Sequence, residues 1–238
     1  MISGKSFADR CQWIIDPRYI EKPTFVPMLS KSNDWIFING DYLTIFLNNV
    51  KGAFIPKKYR IIIHNTDRSF GKPELEQLLP YANHIYAINT TITHPNLTTI
   101  PLGFVDLQLP FLHSFQPPKL ERDIEIYVNF TPHTNQQKRQ NCLDAIEERA
   151  GVVYKTGLTV PEYYQDLCRS KFVLCPEGTG LDTHRVYESI FCGATPVVLR
   201  NSLSHLYEKL PVCIVDKWTD TFVESQNKYS DWNINTFL

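Results

Sequence analysis

The strongest constraint on what this chain can fold into is a repeated alternation of short β-branched, apolar runs with longer amphipathic stretches. It occurs in two series. The first opens with WIFIN (35–39) and continues through a helix-like DYLTIFLNNV, then RIIIHN (60–65), a short helical pattern near Glu74 to Leu79, HIYAIN (84–89) and LTTIPLG. The second runs through IEIYVNF (124–130), a helix from about Thr134 to Ala150, VVYKT, PEYYQDLCR, KFVLC, THRVYESIFC, TPVVLR, LSHLYEKL, VCIVD and a final helix-like segment. Apolar runs of strand length that take turns with amphipathic helices point to βαβ units and parallel sheets. The expected fold is therefore α/β, two Rossmann-like domains whose parallel sheets face each other across a ligand-holding cleft.

Punctuation between the elements supports this division. Thr134 is placed to cap the helix after it, Pro161 suits a first helical turn, and Gly193 suits a helix end that needs positive φ. Between the two series, DLQLPFLHSFQPPKLERD carries Pro110, Pro117 and Pro118 with no sustained period and reads as a linker. The expected division is residues 1–110, a linker over 111–122, and residues 123–238.

Bulk properties exclude several classes. With 238 residues, 43% of them hydrophobic, the chain can bury a sizeable core. A formal net charge of -1 provides no global field for nucleic acid, and the lysines are scattered. No apolar run approaches the roughly 20 residues that span a bilayer, and the N-terminal MISGKSFADRCQW lacks a signal peptide's apolar stretch. A soluble, cytoplasmic protein without a transmembrane segment is expected. In such a compartment the sequons at Asn89, Asn96 and Asn129 go unused. The six cysteines form neither CxxC pairs nor zinc-like spacings, which suggests small buried hydrophobes.

The most informative stretch follows KFVLC: CPEGTGLDTHRVYESIF, from Cys175 to Phe191. Its polar cluster lies at the carboxyl end of a buried strand, where open α/β sheets bind ligands. Gly178 and Gly180 allow close backbone approach and conformations closed to other residues. Glu177 and Thr179 belong to the same loop, and Asp182, Thr183 and His184 open the next helix, whose free amides favour an anion. Arg185 supplies a guanidinium fork for phosphate oxygens, and Glu188, on the same helical face, suits ribose or sugar hydroxyls. Each has a structural alternative: Asp182 as a helix cap, Glu188 as a partner of Arg185. Together they suggest a nucleotide diphosphate site, although the P-loop lysine is missing.

The segment SKFVLCPEGTGLDTHRVYESIFCGATPVVL (170–199) resembles the donor-binding core of exostosin-like glycosyltransferases, glycosyltransferase family 47 and its relatives. They share a Ser-x-Phe-x-Leu-x-Pro-x-Gly strand and loop, an Arg-bearing helix and a Gly-x-x-Pro-Val-Val strand. The resemblance implies a GT-B enzyme with a UDP- or GDP-linked sugar held by the second domain and a glycan or glycosylated acceptor served mostly by the first. It also implies no cofactor and no metal, the sugar nucleotide being a co-substrate. Glu177 and Glu188 are spaced more widely than the glutamate pair of many retaining GT-B enzymes, which favours inversion.

An inverting transferase needs a base, expected at a strand's carboxyl end in the first domain. IIIHNTDRSF provides Asp67 and His64, and IFING is followed by Asp41; a turn residue is the plain alternative for Asp67 and a hydrogen-bonded structural histidine that for His64. Arg139, near the start of the helix after NFTPHTN, is a candidate for leaving-group charge, with a solvated helix charge as its alternative. Three other readings stand beside the transferase: a non-catalytic nucleotide or glycan binding module, another sugar-nucleotide chemistry, and a hydrolase built on Cys175 and His184.

Overall fold

The computed structural model describes residues 1–52, 58–224 and 234–238. They form two compact units, one comprising Met1–Asp106 with residues 234–238 and the other residues 107–224. Each unit is an α/β layer structure around one five-stranded parallel sheet, as the alternation requires.

In the first unit, α1 (Gly4–Ala8) and β1 (Trp13–Ile15) precede β2 (Trp35–Asn39), α2 (Leu43–Gly52), β3 (Tyr59–His64), α3 (Lys72–Leu78), β4 (Ala82–Ala87) and β5 (Leu97–Thr99). The strands lie in chain order, β1-β2-β3-β4-β5. Side chains alternate across a strand, so an apolar run must be covered on both faces. Ile36, Ile38, Ile61 and Ile63 pack with Phe46, Leu47, Val50, Leu75 and Leu78 of α2 and α3. Phe37 and Ile62, on the opposite face, pack with Ile2, Phe7, Ala8 and Tyr19 of the N-terminal segment.

That segment is absent from the expected pattern, because a five-residue helix and a three-residue strand are too short to show a period. Its local signal is Ser3, whose side chain accepts from the Ser6 amide and so caps α1.

The second unit contains α4 (Leu109–Ser114), β6 (Ile124–Val128), α5 (Gln136–Ile146), β7 (Val152–Tyr154), α6 (Val160–Arg169), β8 (Ser170–Leu174), α7 (His184–Phe191), β9 (Thr195–Leu199), α8 (Ser204–Tyr207) and β10 (Cys213–Val215). Within the stretch read as a linker, α4 is a helix whose Phe111 packs 5.3 Å from Tyr164, with Phe115 5.6 Å from the same ring. Two caps follow the sequence: Pro161 occupies the first turn of α6, and Gly193, at φ 75°, ends α7. The cap of α5 is one residue later than expected. Asn135 accepts from the Lys138 amide, while Thr134 closes a 3-10 turn begun by Pro132. The final helix-like segment falls largely outside the described residues; residues 234–236 make a 3-10 turn.

The strand order here is β10-β9-β8-β6-β7. From β6 the chain steps to β7 on one side and then returns to place β8 on the other. The gap between the carboxyl ends of β6 and β8 is thus a topological switch point, where crossovers diverge and leave a crevice. No helix among the described residues is long and apolar enough to cross a membrane.

Candidate functional site

The switch point brings together segments far apart in sequence. Asn129 and Phe130 follow β6, Pro176 to Gly180 follow β8, Arg139 stands in the first turn of α5, and Arg185 in the first turn of α7. Arg185 donates from Nη2 to the Asn129 carbonyl at 2.5 Å, and Arg139 donates from Nη1 to the Thr131 carbonyl at 2.9 Å and from Nε to that of Glu177 at 3.2 Å. Both guanidinium carbons lie 5.6 Å from the centroid of the Phe130 ring. Neither arginine forms an ion pair among the described residues.

Two cations collected without a carboxylate are electrostatically unfavourable unless something anionic joins them. Burial pulls the Arg139 guanidinium down to about 10, and the charge of Arg185 adds to that. It remains charged at neutral pH. Arg139 is only 9% exposed, so it is not a solvated helix charge. The only sealed side-chain atoms without a partner among the described residues are Thr183 Oγ1 and Arg185 Nε. Unpaired buried donors are rare, and these two lie within two residues of each other at the amino end of α7.

The loop residues have different tasks from those their types suggest. Gly178 and Gly180 have no positive φ, so neither is needed for an unusual backbone conformation. Gly178 is instead a matter of space, because a Cβ there would stand 3.0 Å from Arg139 Nη2. Glu177 is paired with Lys138 and accepts from Asn201 Nδ2 at 2.9 Å, Asn135 donates to the Gly178 carbonyl at 2.9 Å, and Thr179 donates to that of Thr134 at 3.4 Å. The loop is latched onto the start of α5, and this holds Arg139 in place.

Asp182 is 5% exposed and accepts from the Thr183 amide at 2.8 Å, the Tyr207 hydroxyl at 2.8 Å and the Tyr187 hydroxyl at 2.5 Å. Its carboxylate is spent on fixing the turn into α7. His184 begins that helix, and Thr183 occupies the N-cap position without making a side-chain capping bond. Glu188 does not pair with Arg185. It is 5% exposed and accepts from the Tyr163 hydroxyl at 2.7 Å. Cys175 is 3% exposed and burial pushes its thiol up to about 12, which removes the nucleophile of a cysteine hydrolase. All six cysteines are free and buried, in line with their reading as small hydrophobes.

In the first unit the three base candidates occupy different environments. Asp67 is exposed in the loop after β3, and its carboxylate has no hydrogen-bond or ion-pair partner among the described residues. His64 is 1% exposed, its ring tilted 5.3 Å from that of Phe7, with Nε2 3.3 Å from the Pro101 carbonyl and Nδ1 taking the Asn65 amide at 2.8 Å. Asp41 accepts from Thr66 Oγ1 at 2.8 Å and pairs with Arg68 at 3.1 Å. Asp41, Thr66 and Arg68 line a pocket of about 160 Å³ beyond the carboxyl ends of β2 and β3, closed by Glu74 and Gln77 of α3. Nearby, Asn89 at φ 53° donates to the Thr66 carbonyl at 3.1 Å. No group of three or more His, Cys, Asp or Glu side chains among the described residues is arranged to hold a metal ion.

Phe130, Asn129 and Tyr163 were not among the residues singled out from the sequence. Phe130 and Asn129 read as the end of a strand and Tyr163 as helix packing. Their roles depend on partners that only the fold supplies.

These features define a protein of two Rossmann-like α/β units, the second with a doubly cationic crevice at its switch point. Residues 128–219 match the family model described as the RXYLT1 C-terminal domain, a xylosyltransferase-related family of exostosin-like glycosyltransferases. The match begins at the end of β6 and takes in both arginines and the whole Glu177–Glu188 segment, and it covers less than half of the chain. Comparison with curated proteins finds no match.

Proposed function

We propose that the chain is a glycosyltransferase that moves a sugar from a nucleoside diphosphate, UDP or GDP, to a hydroxyl of a glycan acceptor. The observation that carries this reading is the pair Arg139 and Arg185 around Phe130, two guanidiniums without carboxylates at the switch point. The family match over the same residues supports it.

In the proposed reaction the acceptor oxygen attacks the anomeric carbon from the face opposite the diphosphate, and the bond from that carbon to the diphosphate oxygen breaks. The anomeric configuration inverts. The acceptor proton passes to a carboxylate of the first unit, for which Asp67 is the strongest candidate because its carboxylate is exposed and unpartnered. Asp41 is second, being held by Thr66 and Arg68, and His64 third, being sealed in the core. Arg139 and Arg185 take the charge that grows on the leaving diphosphate, with Thr183 and the amino end of α7 adding donors. In this reading the guanidiniums serve where other transferases use a metal ion.

The test is a thermal-shift and calorimetric screen of the full chain with UDP, GDP and their common sugars, repeated on Arg185→Ala. A ligand that binds the folded state raises the melting temperature by mass action. A shift with one nucleotide family that is lost in Arg185→Ala is expected. A shift that survives the substitution would move the diphosphate elsewhere, and hydrolysis without transfer to any glycan would replace transferase by another sugar-nucleotide chemistry.

A further inference from the structure

Glu188 combines features that the charge pair does not explain. It is 5% exposed, yet it has no cation within ion-pair distance among the described residues. Its single hydrogen-bond partner is the Tyr163 hydroxyl, on Oε2 at 2.7 Å. Oε1 makes no bond within the described residues. It is also not one of the sealed unpartnered atoms, so it opens to solvent. A buried carboxylate normally finds a cation or several donors. Here the nearest arginine in sequence, one turn back on α7, is turned instead to the Asn129 carbonyl and the Phe130 ring.

Glu188 is thus left without a cation and Arg139 and Arg185 without a carboxylate, although Glu188 and Arg185 both lie close enough to Tyr163 for their charges to act on its hydroxyl. That arrangement suits a ligand carrying both signs of demand: phosphate oxygens for the guanidiniums and adjacent hydroxyls for the carboxylate. We propose that Tyr163 is a positioning residue, which fixes Glu188 through Oε2 so that Oε1 accepts from a hydroxyl next to the bound diphosphate.

The physical case for Tyr163 rests on direction. A phenol whose hydroxyl faces a buried carboxylate must donate, and burial together with Glu188 holds the Tyr163 hydroxyl well above its ordinary value, so the donor proton stays in place. Tyr163 comes from α6 and Glu188 from α7, and the two helices pack on each other. The bond therefore sets the carboxylate rotamer from outside its own helix, which a contact within α7 would not do. The hydroxyls belong either to the nucleoside ribose or to the sugar being transferred. The two share one chemistry and are separable by probe.

The inference rests on the nucleotide reading above, and the experiment keeps the two apart. Affinities of the full chain and of Tyr163→Phe are measured by calorimetry for UDP, GDP, their 2′-deoxy counterparts and their common sugars. A site built to bond a hydroxyl rejects the analogue lacking it, so the wild type should favour the ribonucleotide by roughly tenfold or more. Tyr163→Phe should collapse that ratio to near one while diphosphate binding persists. If the preference concerns the sugar instead, the gain in affinity from nucleoside diphosphate to nucleotide sugar is what Tyr163→Phe removes. A purely structural role would lower all affinities together and leave every ratio unchanged, which would overturn the proposal. Failure of the wild type to bind any nucleoside diphosphate would overturn the function itself. Glu188→Gln serves as a second variant, expected to reproduce the loss of discrimination with the tyrosine intact.

Discussion

Arg139 and Arg185 lie over the same phenyl ring, each guanidinium carbon 5.6 Å from the centroid of Phe130, and neither has a carboxylate partner. Their backbone acceptors hold both forks in place before any ligand arrives, so little ordering remains to be done on binding. Removing either should weaken UDP or GDP binding by about 10- to 100-fold, the range for one hydrogen bond to a charged group. Titration calorimetry on Arg139→Ala and Arg185→Ala measures this. Arg185→Lys should recover only part of the loss, since an ammonium restores the charge without the fork.

Gly178 should be required for the same site through its lack of a side chain. A Cβ would stand 3.0 Å from Arg139 Nη2, and Arg139 is already tied to two carbonyls. Gly178→Ala is expected to displace the guanidinium and lower nucleotide affinity several-fold with little change in melting temperature. A fall in both would show that the loop itself has been disrupted.

Asp67→Asn should leave nucleotide affinity unchanged and reduce transfer by about 10²- to 10⁴-fold, as loss of a general base does. Steady-state transfer assays beside calorimetry separate the two. Asp41→Asn is the comparison. Its carboxylate is bonded to Thr66 and paired with Arg68, so a larger fall there would assign the base to Asp41.

Asp182 is expected to govern stability rather than binding chemistry. Its carboxylate gathers the hydroxyls of Tyr187 and Tyr207 and the Thr183 amide in a sealed site. Asp182→Asn keeps the shape but turns one acceptor into a donor facing donors. A loss on the order of 2–4 kcal/mol should appear as a clear fall in melting temperature.

Acid sensitivity should trace in part to Asp16. Burial raises its carboxyl, but bonds from Arg18 and Asn65 outweigh this and leave it below the ordinary 3.8. A group whose folded value is depressed contributes stability above the unfolded value and loses it as pH falls through the folded one. Melting temperature followed from pH 5 to pH 2 should therefore drop less steeply in Asp16→Asn than in the wild type.

Much of this molecule was legible from local pattern. The period of apolar residues marked nearly every strand from Trp35 onward, because burial on both sheet faces leaves a continuous run such as RIII. Pro161 and Gly193 marked helix ends because their backbones permit few alternatives. Arg185 stood out because its fork suits phosphate oxygens and its loop resembles the donor-binding core of exostosin-like glycosyltransferases. The sequence alone also suggested that the cysteines pack as hydrophobes, as they do.

Tertiary structure decided what those residues touch. Nothing local in IEIYVNF says that β8, rather than β7 alone, will lie beside it. Strand order follows from long-range packing of whole βαβ units, and it is this order that places the Asn129 carbonyl under a guanidinium 56 residues away. The same packing buried Arg139 rather than leaving it solvated, and gave Glu188 a tyrosine from α6 in place of the arginine on its own helix. It also turned Gly178 from a flexible joint into a seat for a side chain. Periodicity records which face of an element is buried. The partners of a polar group are set through space, by elements whose meeting no short stretch of sequence encodes.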